Sequence, residues 1–329
     1  MRMIELELTA KDLAHTRFAF SPLWEVVASV WVLNGGGAQD LHRPWRAGAL
    51  AALDSARLDW RLLSDLVPVP TTVIPGFVCP PPTTPVPDLS VELAAVRATP
   101  PERVRADLDA MPRPATGRVT ELHRDPRAGL DRLAEIIEAY WDLALAPYWP
   151  RVLRLLEGDV LYRARRLTEG GTNRLFADLD PNVSWDAPAL RLAHRSVSGR
   201  RSLGGRGLLL VPSVFVWPRI FSVTTPHQQP TLRYPPRGIA TLWEQRKTSV
   251  PSALGAVMGR SRALLLAELA SPATTTDLAH RTGLTPGAVS QHLTAMRAAG
   301  LVDAHRTGRF VLYARTTVAE SLLHAAANR

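Results

Sequence analysis

Between Gly283 and Val302 the chain reads GLTPGAVSQHLTAMRAAGLV. Val289, Leu293 and Met296 recur at helical spacing and would face a core. The other side of the same helix would carry Ser290, Gln291, Thr294 and Arg297. A face that only has to be soluble usually carries Glu and Lys instead. Short hydroxyl and amide side chains exchange hydrogen bonds with base edges and phosphate oxygens, and Glu would be repelled there. The chemistry these residues suggest is recognition of double-stranded DNA in its major groove. Arg306 and Arg309 lie shortly downstream in RTGR, placed to reach phosphate or the minor groove.

The flanking residues give each of these side chains an element. Thr285 is a helix cap and Pro286 a first helical residue, so a helix is expected over 286–299, ended by Gly300. Upstream, SPATTTDLAHRTG offers several Ser/Thr caps, Asp277 in a first turn and Gly283 as a stop. Two helices joined only by a turn near 283–285 form a helix-turn-helix. Leu301 and Val302 open a strand, and Val311 and Tyr313 alternate in a returning one. RTGR is the tip, so the segment 303–313 is expected to be a β-hairpin wing. Before the pair, SALGAVMGRSRALLLAELA places Leu254, Val257, Met258, Leu264, Leu265 and Leu269 on one helical stripe. VAESLLHAAA closes the segment as an amphipathic helix. His292 could contact DNA or pack where the helix meets the wing.

This stretch, LAHRTGLTPGAVSQHLTAMRAAGLVDAHRTGRFVLYA, resembles the winged helix of ArsR-type bacterial repressors, through AVSQHL, MRAAGLV and the Gly-Arg…Tyr wing. The resemblance implies a homodimer whose terminal helices pair and whose recognition helices enter successive major grooves. Metal-sensing members of the family carry paired cysteines before the turn, or Asp and His ligands in the last helix. Here the first segment is TTTDLAH, Asp303 and His305 fall in the wing and His324 stands alone, so no metal and no cofactor is expected. FAFSPLWEVVASVWVL, near the front, is similar to an uncharacterised region found ahead of such winged helices in actinobacterial regulators.

The remaining chain reads as an α+β region over 1–249, ahead of the winged helix at 250–329. MIELELTAKDL alternates like a strand or edge hairpin, and SPLWEVVASVWVLN is a helix with a Ser-Pro start. Helical patterns follow over 44–66, within 89–112, and over 126–167 with one interruption at APYWP. The segment 68–88 is proline-dense and is expected to be an extended surface loop or linker, which could divide the region in two. From about residue 183 short β-branched runs suggest a small antiparallel sheet. RARR at 163–166 reads as a solvated helix face, and RSVSGRRSLGGRG as a polar loop that could alternatively meet phosphate. The nine tryptophans all precede residue 250. Core packing is their first reading, and lining an apolar effector pocket the second.

Composition narrows the function classes. The chain has 329 residues and one cysteine, Cys79, so no intrachain disulfide can form, and the cytoplasm is the default compartment. No apolar run approaches the roughly 18 residues of a membrane helix, and MRMIELELTAKDL lacks a signal-peptide core. The formal charge is +9 and lies late in the chain. Lys and Arg number 22 against 25 acids in 1–194, nine against one in 195–249, and eight against four in 250–329. An anionic partner for the later segment follows. There is no His-Glu-x-x-His, Gly-x-Ser-x-Gly, Cys-x-x-Cys or strand-borne Gly-x-Gly-x-x-Gly, so an enzyme is not expected. The reading is a cytoplasmic, dimeric transcriptional regulator, a repressor, whose first region takes a small-molecule effector, binds a partner or adds dimer contacts. Its rivals are a winged helix that binds protein, and an enzyme in 1–249 with a regulatory winged helix.

Overall fold

The alternation of Ile4 and Leu6 becomes strand β1 (Arg2–Glu7), and these two side chains and Leu8 just beyond it are buried. A computed structural model describes residues 2–70, 73–111, 116–194, 198–223, 228–243, 252–269, 272–307 and 310–327, a few of them by backbone alone. The chain divides into two compact units, Met1–Trp243 and Glu244–Arg329.

In the first unit β1 leads to α1 (Ala10–Ala14), β2 (Arg17–Phe18) and α2 (Pro22–Leu33). Then come α3 (Arg43–Ser55), α4 (Arg61–Asp65), α5 (Leu89–Arg97) and α6 (Pro101–Asp109). The helical part ends with α7 (Gly117–Arg124), α8 (Pro126–Ala144) and α9 (Trp149–Phe176), the last kinked at Gly170 and Gly171. Six strands follow: β3 (Val183–Asp186), β4 (Ala189–His194), β5 (Gly199–Ser202), β6 (Leu209–Pro212), β7 (Phe221–Val223) and β8 (Thr231–Tyr234).

A helix that is apolar all round has to be buried, and α2 is the axis of the helical core. Leu23, Trp24, Val26, Val27, Val30, Trp31 and Val32 are all inaccessible, packed with Trp45, Leu63, Leu133, Ile137 and Tyr140. Its start is fixed by Ser21, whose Oγ accepts from the Trp24 N–H at 2.9 Å. Glu92 of α5 accepts from the Ser21 hydroxyl at 2.6 Å and from the Leu23 N–H at 2.8 Å.

The strands form two four-stranded mixed sheets, in the orders β3-β4-β1-β5 and β2-β6-β8-β7. This corrects the expectation of one small antiparallel sheet: β1 runs parallel to β5, and β6 is parallel to both β2 and β8. It also makes β1 an interior strand, since its neighbours are supplied by residues 189–202, far along the chain. A second core of Ile4, Leu6, Phe176, Leu190, Leu192, Leu210, Leu232 and Tyr234 joins the sheets to the end of α9.

Three further expectations change. The proline-rich segment is not a free linker: Phe77, Val78 and Cys79 belong to the core, the Phe77 N–H donates to Asp107 at 3.0 Å, and the Phe20 N–H donates to the Pro85 carbonyl at 2.9 Å. The RARR run is not all solvated, because Arg163 is 1% exposed. It donates to Asp159 at 2.8 Å and Asp178 at 3.4 Å, and lies 4.7 Å from the Tyr234 ring centroid. The basic segment contains β5 rather than only loop; residues 195–197 lie outside the described residues.

The second unit comprises α10 (Ser252–Met258), α11 (Arg260–Glu268), α12 (Thr275–Thr282) and α13 (Pro286–Ala298), then β9 (Val302–Thr307), β10 (Phe310–Arg315) and α14 (Thr317–Ala327). Its core is Leu254, Ala263, Leu265, Leu266, Leu269, Leu278, Val289, Leu293, Met296 and Val302. Gly259, with φ +85°, separates α10 from α11, so the expected single stripe is broken and Val257 is 87% exposed.

Candidate nucleic-acid interface

Three local devices set α12 against α13. Thr274 and Asp277 form a reciprocal capping box at the start of α12: the Asp277 N–H donates to the Thr274 hydroxyl oxygen, and the Thr274 N–H and hydroxyl donate back to the Asp277 carboxylate. Gly283 ends α12 at φ +71°, a conformation that glycine adopts freely. Two residues later Thr285 caps α13, its Oγ1 accepting from the Ala288 N–H at 3.3 Å, with Pro286 at the first helical position. A guanidinium adds a tie behind the turn, as Arg281 donates to the Glu268 carbonyl at 3.2 Å.

The two faces of α13 differ as the spacing requires. Val289, Leu293 and Met296 are buried, while Ser290, Gln291, Thr294 and Arg297 are exposed. At about 100° per residue, Gln291 points roughly 160–200° away from Val289 and Leu293, directly outward. Around it the exposed residues are Gly287, Ala295 and Ala298, so no long side chain holds the helix away from an approaching surface. The helix carries no acid. Two of the unit's acids are engaged elsewhere, Asp277 in its cap and Glu268 beside Arg281 at 3.8 Å.

Two of the singled-out hydroxyls are partly committed. The Thr294 hydroxyl donates to the Ser290 carbonyl at 2.9 Å, which leaves it an acceptor and a methyl group for any outside contact. Thr285 spends an acceptor pair on its cap and keeps its proton to donate. His292 is half-buried beside the core stripe.

The wing follows without a gap. Gly300 at φ +68° lets the chain leave α13, with the Leu301 N–H bonded to the Met296 carbonyl at 2.9 Å. β9 and β10 pair antiparallel, with Arg306 opposite Val311 in register. Arg306 is described by its backbone only, and Arg309 lies outside the described residues. A feature that sequence spacing did not reveal is the antiparallel bridge from Ala273 to Tyr313, with both N–H···O bonds at 2.9–3.0 Å. This one-residue bridge ties the wing to the start of the helix pair. Thr316 then caps α14, and its hydroxyl donates to the Gly300 carbonyl at 2.8 Å.

The other candidate anion site is closed from within. Gly204, Gly205 and Gly207 all have positive φ, and such a run turns its N–H groups inward, as anion-binding loops do. The buried carboxylate of Asp12 already fills it, accepting from the Gly207 N–H at 3.1 Å and from Thr9 at 2.7 and 2.9 Å. Burial pushes that carboxyl up, but the bonds from Thr9, Gly207 and Gly205 together outweigh it and hold it below its ordinary value.

The tryptophans mostly pack. Trp24, Trp31 and Trp45 are 0–1% exposed. Trp45, Phe215 and Trp243 enclose His42, whose Nδ1 accepts from the Trp243 indole N–H at 3.1 Å. Burial pushes His42 down to about 4. It likewise pushes the Cys79 thiol up, against the thiolate a redox sensor would need. Among the described residues no three His, Cys, Asp or Glu side chains are grouped to hold a metal ion, and no helix is long and apolar enough to cross a membrane.

A helix-turn-helix closed by a two-stranded wing is the architecture of a DNA-binding winged helix. Residues 260–304 match the family model of the bacterial regulatory proteins of the arsR family, from α11 to the start of β9. The second unit is thus an arsR-type domain of DNA-binding transcriptional regulators. Residues 114–239 match a family of unknown function, DUF5937, running from α7 past β8. Neither the curated proteins nor the solved structures contain a significant match to the chain.

Proposed function

We propose that the protein is a cytoplasmic, dimeric transcriptional repressor that inserts α13 into the DNA major groove and rests its wing on the backbone or minor groove. The observation that carries this reading is the acid-free, outward face of α13, with Gln291 at its centre and small residues around it, on an arsR-type scaffold. Gln291 and Ser290 read base edges, and Thr294 contributes an acceptor or its methyl. Thr285, Arg297, Arg306 and Arg309 contact phosphate or the minor groove.

Three exposed apolar side chains favour a dimer: Val257 on α10, with Val318 and Leu322 on α14, the first and last helices of the unit. A second copy covering them would set two recognition helices about one DNA turn apart, roughly 34 Å. The first unit would then hold a small-molecule effector or partner whose binding alters that spacing.

Selection of bound sequences from a random DNA pool, followed by Gln291→Ala, tests the readout. Affinity for the selected site should fall about 10- to 100-fold, while affinity for unrelated DNA stays the same. Equal loss on both would remove Gln291 from base recognition.

A further inference from the structure

Arg233 of β8 is 2% exposed, and among the described residues no carboxylate lies within 4.0 Å of its guanidinium. A buried cation without a counter-charge is expensive. Two contacts offset part of that cost. Nη2 donates to the Cys79 carbonyl at 2.8 Å, and the guanidinium carbon stands 4.0 Å from the centroid of the Trp24 ring. The groups whose charge it feels are the Cys79 thiol beside it and Glu92, which is engaged with Ser21 and the start of α2.

Among the described residues Arg233 Nε–H has no acceptor, and neither do the indole N–H groups of Trp24 and Trp31. These side chains form one cluster. Phe221 makes T-shaped contacts with both indoles, its ring centroid 5.3 Å from each, and lies opposite Arg233 in the β7–β8 register. Native proteins pair nearly all their buried N–H groups. Three unpaired donors on side chains that contact one another and Phe221, one of them a guanidinium with no carboxylate of the described residues within 4.0 Å, are the chemistry of a site for an anion with an aromatic body. Phe221 sits on an edge strand: β7 has three residues, pairs among the described residues with β8 alone, and its side chains are half-buried.

We propose that Arg233, Trp24, Trp31 and Phe221 form a binding site for a small planar carboxylic acid. Its carboxylate accepts from Arg233 Nε and an indole N–H, and its ring takes the place of the Phe221 ring against the two tryptophans. The site stands independently of DNA binding; its role as the effector site rests on the regulator reading.

Full-length protein without DNA is titrated with benzoate, acetate and benzamide, followed by tryptophan fluorescence and by the thermal midpoint. Benzoate should give a saturable change and a higher midpoint. Acetate and benzamide should bind at least about tenfold more weakly, since one lacks the ring and the other the charge. Arg233→Met should weaken benzoate about 10- to 100-fold. Should that variant fail to fold, Phe221→Ala decides. Removing the ring that the ligand must displace should tighten benzoate about tenfold. The proposal is overturned if neither the parent protein nor Phe221→Ala binds benzoate saturably. It is also overturned if benzamide or acetate binds as well as benzoate, or if a folded Arg233→Met binds it like the parent. Loss of DNA binding with benzoate binding intact would overturn the regulator reading alone.

Discussion

Replacing Asp159 with Ala should destabilise the first unit more than Arg163→Met does at its partner. The carboxylate is inaccessible and serves three donors: Arg163 Nε and the Tyr234 hydroxyl, each at 2.8 Å, and the Arg237 N–H at 3.0 Å. Its loss strands a guanidinium that is 1% exposed, leaving only the 3.4 Å contact to Asp178 and the Tyr234 ring. Breaking a buried ion pair from one side costs about 3–5 kcal/mol. Arg163→Met is milder by about 2 kcal/mol, because Asp159 keeps two donors and the methionine fills the volume. All nine tryptophans lie in Met1–Trp243, so intrinsic tryptophan fluorescence during urea unfolding reports this unit alone. In a thermal scan Asp159→Ala should lower the midpoint by about 6–20 °C, at roughly 2–4 °C per kcal/mol. Equal losses for the two variants, or a larger loss for Arg163→Met, would refute the assignment of Asp159 as the hub between α9 and β8.

Three more outcomes follow from the same contacts. Burial pushes Glu25 up to about 8 and Glu92 up to about 7, so each favours folding when protonated. Their contribution is complete below an ordinary carboxylate pKa and is lost as pH rises through those values. The depressed His42 acts oppositely but only below its ordinary value of 6.5, so tryptophan-monitored stability should fall between about pH 6.5 and 8.5. Glu25→Gln should flatten the upper part of that fall. Leu293→Ala empties a buried site in the second unit and should cost about 2–5 kcal/mol there, abolishing DNA binding while the tryptophan signal is unchanged. Gly207→Ala would place a Cβ 2.4 Å from the His15 carbonyl oxygen at φ +73°, and should cost the first unit about 1–3 kcal/mol by urea titration.

The helix-turn-helix was readable because its signals are local. Thr285, Pro286 and Gly300 bracket α13, and Val289, Leu293 and Met296 repeat within it, all inside one short stretch. The sheets were not readable for the opposite reason. The partners of β1 come from residues 189–202, and no alternation in Ile4, Leu6 and Leu8 says which strands will flank it. Arg163 looked solvated because, although its main acceptor Asp159 is one helical turn away, the Tyr234 ring and the second acceptor Asp178 that bury it are 71 and 15 positions away. The glycine loop looked open because Asp12, which fills it, precedes Gly207 by 195 residues. Within the interface, burial separated the two faces of α13 as the spacing implied, whereas the commitment of the Thr294 hydroxyl to the Ser290 carbonyl emerged only in three dimensions.

The most direct test is fluorescence anisotropy of the full-length protein on the DNA upstream of its own gene, across a salt series, with scrambled DNA as control. A repressor acting at its own gene should prefer the upstream DNA. Its affinity should fall steeply with salt, because several phosphate contacts release counterions. Absence of binding to either DNA, even at low salt, would contradict the account and point to a protein as the partner of the winged helix.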